Sequence, residues 1–437
     1  MRMLSLLCLS TALVALPAAA QVAVTSGSGA PAKLDLPAPD LSHEVQNYNT
    51  QVGWPDGAAP TAPAGFTVTR FAEELDGPRW LYQLPNGDVL VAEAATAPKP
   101  PKDEEERKKQ ELQKQSGTVK ESANRITLLR DTDGDGTPET KSVLLKDLNQ
   151  PFGMALIGER LYVANTDGVM AFPYKTGATE ITEAGEKILD LPAGGYNNHW
   201  TRNLLASEDG STLFVSVGSA SNVAEYGLAE ETRRANILAV DPDGKNERIY
   251  AAGLRNPVGM DFLPGTSTLW TAVNERDMIG DALVPDYITS VKQDGFYGWP
   301  YSYYGKTPDP RIADKAKPGL IDTSITPDFA VGAHTASLGL AFYEGTSFPE
   351  KYRGGAFVGQ RGSWNRSDFS GYRVAFVPFE GGKPSGAIED FLTGFMPDPA
   401  KGETYGRPVG VLSAADGALL VADDAGGIVW RVVPAKE

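Results

Sequence analysis

The chain has 437 residues, and its formal net charge of −16 at pH 7 argues against nucleic acid or an anionic membrane as a partner. Its 47 glycines and 32 prolines, with few long amphipathic stretches, favour many short strands joined by turns over a helical enzyme. Phosphate-binding loops and the nucleophile elbow of serine hydrolases are absent from the sequence.

The first twenty residues have the pattern of a secretory signal peptide. Arg2 supplies the positive start, residues 4–16 an apolar core too short to span a membrane, and residues 18–20 a small-residue cleavage site. We expect residues 1–20 to be removed together with Cys8, the only cysteine. The remaining chain is then predicted to be periplasmic or secreted, without a disulfide, a thiol nucleophile or a membrane span.

Two stretches differ in composition from the rest of the chain. Residues 21–64, rich in Ala, Pro and Gly, are predicted to form an extended arm along the outside of the fold. Residues 98–121 are a run of Lys, Glu and Gln with helical propensity and almost no apolar face. This insertion is predicted to be a solvated excursion between strands, with a functional lid as the alternative.

A turn followed by alternating apolar residues occurs six times between residues 65 and 437. The copies begin at Gly87, Gly158, Ser211, Ser267, Gly354 and Gly417. Their spacing matches one four-stranded blade each, so the sequence predicts an all-β, six-bladed β-propeller over residues 65–437. Residues 65–71 are predicted to close the ring by pairing with residues 428–432, which removes free sheet edges.

A second repeated segment precedes each copy, where the chain of a propeller enters the central channel. The segments direct one side chain each toward a common axis: Arg79, Phe152, His199, Arg255, His334 and Arg407. His199 is a candidate base, because an imidazole titrates near neutrality; a packing role is the alternative. Several arginines at one pocket favour an anionic ligand with more than one carboxylate or phosphate, whereas struts between blades are the alternative.

Two loops are candidate calcium sites. Residues 294–301 form a Gly/Pro-rich loop with aromatics that could offer backbone carbonyls to a hard cation, or be a plain turn. A second loop has side-chain oxygens at alternate positions, as in an EF-hand, in Asp131, Asp133 and Asp135. Its twelfth position is Ser142 instead of Glu, so a full EF-hand is not expected and a structural calcium ion competes with an acidic turn.

Six segments together resemble the pyrroloquinoline quinone (PQQ)-dependent L-sorbosone dehydrogenases and, more distantly, the soluble glucose and aldose dehydrogenases. The segments are His199–Asn203, Val215–Ser219, Gly253–Pro257, Tyr297–Pro300, Gly362–Arg366 and Gly406–Gly410. The similarity covers most of residues 65–435. Arg361 departs from the family pattern, since a histidine usually precedes the Gly-Ser-Trp-Asn-Arg run, and this bears on how that blade holds the cofactor or chooses substrate.

The resemblance implies oxidation of a sugar or a sugar-derived aldehyde by hydride transfer to PQQ, which carries three carboxylates. His199 resembles the general base that removes the hydroxyl proton. The implied cofactor ligands are Arg202, Arg255, Asn256, Thr335, Arg361, Arg366 and Arg407. The backbone carbonyls of Gly298, Trp299 and Pro300 resemble a site for a calcium ion that polarises the reactive carbonyl of the quinone. An electron acceptor such as a cytochrome or a quinone is the implied partner.

Two other functions are consistent with a six-bladed propeller. A calcium-dependent lactonase resembling gluconolactonases would need converging carboxylates, whereas the channel segments of this chain offer mainly Arg and His. A non-catalytic ligand-binding propeller would have no need for a base beside an anion pocket. The sequence therefore favours the quinone-dependent dehydrogenase.

Overall fold

The structure, a computed structural model, describes residues 27–31 and 34–436. The predicted signal peptide, with its cleavage site and Cys8, lies outside the described residues. No helix in the described part of the chain is long and apolar enough to cross a membrane.

Six antiparallel sheets follow one another along the chain, and we number them as blades 1 to 6, with the strands of each given from the inner to the outer edge. Blade 1 comprises Pro78–Gln83, Val89–Glu93, Arg125–Arg130 and Thr140–Leu145; blade 2 comprises Met154–Ile157, Arg160–Asn165, Gly168–Pro173 and Glu186–Asp190; blade 3 comprises Arg202–Ala206, Leu213–Val217, Asn236–Val240 and Arg248–Ala252. Blade 4 comprises Pro257–Phe262, Leu269–Val273, Pro285–Ser290 and Phe329–Ala333; blade 5 comprises Ala341–Phe342, Ala356–Gln360, Arg373–Val377 and Glu389–Leu392; blade 6 comprises Pro408–Ser413, Leu419–Asp423, Ile428–Pro434 and Phe66–Ala72. The first repeat falls on the second strand of each blade, and the predicted six-bladed propeller is confirmed.

The outer strand of blade 6 comes from the beginning of the ring. Phe66–Ala72 pairs antiparallel with Ile428–Pro434, and Val68 lies opposite Val432. This is the closure that the sequence predicts, and it joins the first and last parts of the propeller in one sheet.

Six hydrophobic clusters fill the spaces between neighbouring blades. Consecutive residues of a second strand point to opposite faces of their blade. Leu90 therefore belongs to the cluster between blades 1 and 2, and Val91 to the cluster between blades 6 and 1. Both are completely buried. Because each blade is covered on both faces, the sequences of its central strands are nearly continuous runs of apolar residues.

The glycines of the second repeat allow the innermost strands to approach one another. A Cβ added to Gly153 would lie 2.1 Å from the backbone nitrogen of Leu204 on the next blade, and one added to Gly339 would lie 2.1 Å from the carbonyl oxygen of Val409. Any larger residue would push neighbouring blades apart, so these positions fix the width of the channel.

One α-helix, α1 (Glu104–Gln115), occurs in the described residues, inside the insertion predicted as a charged excursion. The Asp103 carboxylate caps it by accepting the N–H of Glu106 at 2.8 Å, and acidic residues fill its first turn. No residue of α1 is buried, in agreement with its lack of an apolar face.

The remaining short elements decorate the blades. Gly295–Phe296 pairs in parallel with the outer strand of blade 3, and Ser28–Gly29 pairs antiparallel with the outer strand of blade 4. The other short strand pairs are Thr50–Gln51 with Glu403–Thr404, Ser302–Tyr303 with Thr307–Pro308, and Phe379–Glu380 with Lys383–Pro384. The 3-10 helices are Leu228–Glu231, Ala313–Lys315, Ile321–Thr323 and Glu350–Tyr352.

Candidate functional site

A cavity of about 500 Å³ lies on the ring axis, a size typical of a small-molecule site. Its wall includes Arg79 near the start of the innermost strand of blade 1 and residues that precede the innermost strands of blades 3, 4, 5 and 6. The lining residues that the sequence singles out are Arg79, His199, Arg255, Asn256, Arg361 and Arg407. The structure therefore brings most of the predicted channel-mouth side chains together.

The His199 ring is held in one tautomer. Its Nδ1 lies 2.8 Å from the carbonyl oxygen of Ser219 and 3.0 Å from the hydroxyl oxygen of that residue. The hydroxyl gives its own hydrogen to the carbonyl of Ser221 at 2.6 Å, so Nδ1 is the donor and Nε2 carries the free lone pair. Burial and the nearby charge of Arg255 lower the pKa of His199 to about 3, which leaves the imidazole neutral in the ligand-free protein.

His334 has the same sequence context but a different role. It is 5% exposed and does not line the cavity. Its Nδ1 lies 3.2 Å from Oδ1 of Asp277 and its Nε2 lies 2.9 Å from the carbonyl oxygen of Gly280. Burial opposes the charged imidazole, but the hydrogen bond and charge of Asp277 outweigh burial and raise the pKa of His334.

Three arginines meet at one carboxylate on the opposite side of the cavity. Asp424 Oδ2 accepts from Nη1 of Arg79 at 2.5 Å and from Nε of Arg361 at 2.6 Å, and its Oδ1 lies 3.3 Å from Nε of Arg407. Burial opposes ionisation of Asp424, but the three guanidinium groups hold its pKa well below the usual range. Two positive charges remain without a negative partner in this cluster.

Some donors of this arginine cluster are unused. Within the part of the chain that the structure describes, Nε and Nη2 of Arg407 and Nε of Arg79 are buried without a hydrogen-bond partner. Burial and the neighbouring Arg361 lower the pKa of Arg407 to about 10. A buried donor without an acceptor is costly, and unused donors with surplus positive charge have the chemistry of an anion site.

Arg255, by contrast, has no donor left over. Nε and Nη2 donate to the carbonyl and side-chain oxygens of Asn222, Nη1 donates to the carbonyls of Asn274 and Glu275, and Nη2 also reaches Asp277 at 3.3 Å. It contributes positive charge to the cavity, and its hydrogen bonds fix the wall. The predicted role of Arg255 as a direct ligand does not fit these contacts.

Three other predicted cofactor ligands lie outside the cavity lining. Arg202 is fully buried and donates to the carbonyls of His199, Thr201 and Pro192, so it holds the backbone that carries His199. The hydroxyl of Thr335 donates to Asp286 at 2.9 Å. Arg366 donates to the carbonyl of Asp281 at 3.0 Å. Phe152, which the sequence also predicts to face the axis, does not line the cavity. It packs in the core beside Trp80, with ring centroids 5.1 Å apart.

The loop proposed to hold calcium through backbone carbonyls does not fit that ion. The carbonyl of Gly298 accepts from the N–H of Ser302 at 2.9 Å, and the carbonyl of Pro300 accepts from the Arg276 guanidinium at 3.0 Å. Gly298, Trp299 and Pro300 are absent from the cavity lining. A cation would have to displace a buried arginine from Pro300, so no catalytic step is derived through calcium at this loop.

The acidic loop of blade 1 does bring its side chains together. Carboxylate oxygens of Asp131, Asp133, Asp135 and Glu139 all lie within 4.8 Å of one another. Glu139, at the ninth position of this loop, adds a carboxylate that the sequence analysis does not single out. Backbone N–H groups of the loop already donate to these carboxylates. A structural calcium ion at this loop stays a prediction.

Sequence reasoning missed the side chains that reach the cavity from outside the repeats. The arm supplies Tyr48 and Asn49, and the insertion supplies Lys109, Gln113 and Thr118. Asp277 and Glu225 are the acidic lining residues of the described chain. None belongs to a repeated segment. The only available signal is that the insertion interrupts a blade on the channel side.

The architecture and the site together define a class: a six-bladed propeller whose axial cavity has a cluster of arginines across from a neutral histidine. The chain belongs to the TrAA12-like family, whose sequence model matches residues 60–293 and 321–435. The predicted resemblance to quinone-dependent sugar dehydrogenases is thereby confirmed.

Two curated proteins are similar in sequence. An uncharacterised protein of Borreliella burgdorferi is 29% identical over 303 residues, which cover 66% of this chain and 77% of that protein. An aldose sugar dehydrogenase of Escherichia coli is 28% identical over 184 residues, or 39% of this chain and 48% of that protein. The match thus spans about half of the length of the E. coli enzyme.

Solved structures share the fold. The PQQ domain of pyranose dehydrogenase from Coprinopsis cinerea, solved in its holo form, superposes with a TM-score of 0.68 at 19% identity, covering 88% of this chain and all of that domain. A calcium structure of a carbohydrate-active enzyme of family AA12 from Trichoderma reesei gives the same TM-score, identity and coverage. The PQQ-bound aldose sugar dehydrogenase of Streptomyces coelicolor has a TM-score of 0.54 at 17% identity, over 85% of this chain and all of that one.

Proposed function

We propose that the chain is a PQQ-dependent dehydrogenase that oxidises a sugar or a sugar-derived aldehyde of the aldose or sorbosone type. The observation that carries this proposal is the cluster of Arg79, Arg361 and Arg407 on one carboxylate, across the cavity from a neutral histidine. The family membership and the sugar dehydrogenases among the relatives support it.

The residues present fit the cofactor. PQQ carries three carboxylates, and the cavity offers buried arginine donors without partners and a surplus of positive charge. Arg79, Arg361 and Arg407 would hold the carboxylates, and Asn256, whose Oδ1 has no partner among the described residues, would contact the ring system. When bound, the quinone supplies the acceptor for a hydride from the substrate.

His199 would act on the substrate hydroxyl. Since Nδ1 is committed to Ser219, Nε2 would accept the proton of the substrate hydroxyl, or of an aldehyde hydrate, while a hydride leaves the carbon that carries this hydroxyl. In the ligand-free protein the low pKa keeps the His199 ring neutral, so the ring does not have to lose a proton before the substrate binds. Arg202 holds the His199 carbonyl at 2.6 Å and keeps the ring at a fixed height in the wall.

The proposal includes export and an external electron acceptor. The N-terminal sequence pattern supports a periplasmic or secreted location, where an acceptor such as a cytochrome or a quinone would reoxidise the cofactor. The proposal includes a structural calcium ion at Asp131, Asp133 and Asp135. Calcium is also an additive in the cofactor test, because one relative was solved with calcium.

The first test is a titration of the purified protein with PQQ, with and without calcium, followed by dye reduction with a panel of aldoses and sorbosone. Arg407→Gln should weaken PQQ binding by about tenfold or more, because a charge-assisted hydrogen bond is worth about 1.5–3 kcal/mol. His199→Asn should bind PQQ normally yet reduce turnover by about 10²- to 10⁴-fold.

Arg160→Gln is the matched control, since Arg160 is 40% exposed and pairs with Glu186 on the surface. It should change neither binding nor turnover. If the wild-type protein fails to bind PQQ under both calcium conditions, the dehydrogenase proposal is wrong, and lactone hydrolysis and non-catalytic ligand binding are the functions to test next.

A further inference from the structure

The charged insertion is joined to the wall of the cavity at its base. Thr96 and Val119 form a parallel bridge, and Val119 is 6% exposed. The Thr96 hydroxyl accepts from Nε1 of Trp200 at 2.9 Å, directly beside His199 in the chain. The segment is therefore tied to the same wall that carries the candidate base, although helix α1 itself is solvated.

The insertion then touches one of the cofactor-binding candidates. Nη1 of Arg407 donates to the hydroxyl of Thr118 at 2.8 Å. Thr118 is fixed in turn, because its oxygen also accepts from Ser116 at 2.9 Å and its N–H donates to the carbonyl of Gln113 at 2.8 Å. Of the hydrogen bonds that the described residues make, this is the one from the Arg407 side chain; Nε and Nη2 have none.

The arm contacts the insertion next to Thr118, through Gln51. Gly117 has a φ of +66°, and a Cβ added there would lie 1.9 Å from Oε1 of Gln51 and 3.5 Å from Nη2 of Arg407. Farther out, the Lys109 ammonium lies 5.6 Å from the centre of the Trp364 ring. The insertion is thus held between the arm and blade 5, with Thr118 directed at Arg407.

We propose that Thr118 is a positioning residue of the cofactor site: it anchors Nη1 of Arg407, while Nε faces Asp424, so that the unpartnered Nη2 stays available to a carboxylate of the quinone. The inference rests on the proposed function and extends it to a segment outside the propeller repeats. The insertion is then part of the cofactor pocket, in place of the solvated excursion that its composition predicts.

The test compares wild type with Thr118→Val, which keeps the shape and removes the acceptor, and Thr118→Ser, which keeps the hydroxyl. Equilibrium and stopped-flow fluorescence give the Kd and the dissociation rate of PQQ. Thr118→Val should raise the Kd about tenfold, mainly through faster dissociation, and Thr118→Ser should restore binding to within about twofold. The exposed Thr346 supplies the control Thr346→Val, which should bind as wild type does.

The same substitution in an Arg407→Gln background separates positioning from a general loss of structure. If Thr118 acts through Arg407, Thr118→Val should add no further weakening once the guanidinium is gone. Equal PQQ affinity in wild type and Thr118→Val, or an undiminished effect in the Arg407→Gln background, would overturn the inference while leaving the dehydrogenase proposal intact. Failure of wild type to bind PQQ would remove both.

Discussion

His199 and His334 occupy equivalent places in two repeated segments, yet their surroundings shift their pKa values in opposite directions. Burial and the nearby charge of Arg255 lower the pKa of His199 and favour the neutral ring, although the hydrogen bond to the Ser219 carbonyl opposes this shift. His334 lies between the Asp277 carboxylate and the Gly280 carbonyl, both acceptors, so the charged ring is favoured. The sequence pattern identifies both histidines, but partners from distant loops decide which one can act as a base.

The pKa shifts of these histidines predict a pH dependence with opposite signs. In the absence of cofactor, the unfolded chain takes up a proton on His199 below about pH 6.5, whereas the native imidazole, with a pKa of about 3, does not. This residue therefore lowers stability as the pH falls from 6.5. His334, with its raised pKa, adds stability below pH 6.5 that is lost as the pH rises through its native value.

Two-dimensional NMR of the imidazole carbons should show the His199 signal unchanged between pH 8 and pH 5. His199→Gln and His334→Gln assign the two signals, and urea unfolding at several pH values should show a smaller acid-side loss of stability in His199→Gln than in wild type. A His199 signal that titrates near pH 6.5 in the apo protein would contradict the neutral-base geometry.

Asp424 holds together three like charges, and its removal should be costly. Asp424→Asn should lower the free energy of unfolding by about 3–5 kcal/mol, because the guanidinium groups of Arg79, Arg361 and Arg407 lose their shared carboxylate inside the protein. Added PQQ should recover part of that loss by supplying carboxylates.

The control is Asp416→Asn on the same blade. Asp416 pairs with Arg431 at 2.6 Å but is 51% exposed, so its removal should cost less than about 1 kcal/mol. Urea unfolding with and without PQQ measures both variants. Equal effects at the two positions would show that the arginine cluster is not electrostatically strained.

The strands of the blades are predictable from the sequence, whereas the segments that complete the cavity are not. The second strands are buried on both faces, which gives the apolar runs that the repeat search detects. The arm and the insertion have no such periodicity, and they contact the cavity through particular side chains such as Tyr48 and Thr118. Their composition carries no information on where they dock.

The loop of residues 294–301 shows that composition alone does not predict which backbone carbonyls are free. The Gly/Pro-rich pattern of residues 294–301 predicts free carbonyls, but the carbonyl of Gly298 accepts from the N–H of Ser302 and that of Pro300 accepts from Arg276. The sequence cannot show these partners, because Arg276 lies on another connection of the same blade. Instead, the loop supports the cavity wall from behind, where Nε1 of Trp299 donates to the Asn222 carbonyl at 3.0 Å.

The arm depends on Trp54 for its attachment to blade 6. Nε1 of Trp54 donates to Oδ2 of Asp423 at 2.7 Å, and its ring meets Trp430 edge to face with centroids 5.0 Å apart. Trp54→Ala should lower the free energy of unfolding by about 2–3 kcal/mol and make residues 34–64 more sensitive to protease.

Leu41→Ala is a suitable comparison in the same arm, because Leu41 is 58% exposed and should be nearly neutral. Urea unfolding and mass spectrometry of a limited digest give the two readouts. An unchanged digestion rate in Trp54→Ala would mean that other contacts hold the arm.

The cavity lining has a net positive charge, whereas the whole protein has a net negative charge. The chain carries a formal charge of −16, whereas the cavity lining of the described residues has five basic side chains, Arg79, Lys109, Arg255, Arg361 and Arg407, against the acidic Asp277 and Glu225. Beyond a Debye length the net charge governs encounters, and at contact the local charge governs binding. An anionic ligand bound in the cavity would thus lie inside a surface that attracts cations.

This separation predicts how the reduced enzyme meets its electron acceptor. A cationic acceptor such as a ferricenium ion should reoxidise the loaded protein faster at low ionic strength, and its rate should fall as salt is added. Anionic ferricyanide should show the reverse salt dependence, because the net charge of −16 repels it until the repulsion is screened. Stopped-flow reoxidation at several salt concentrations measures both rates on the same enzyme. If ferricyanide were the faster acceptor at low salt, the local field of the cavity mouth would outweigh the net charge, and a basic partner such as a cationic cytochrome would lose its electrostatic advantage.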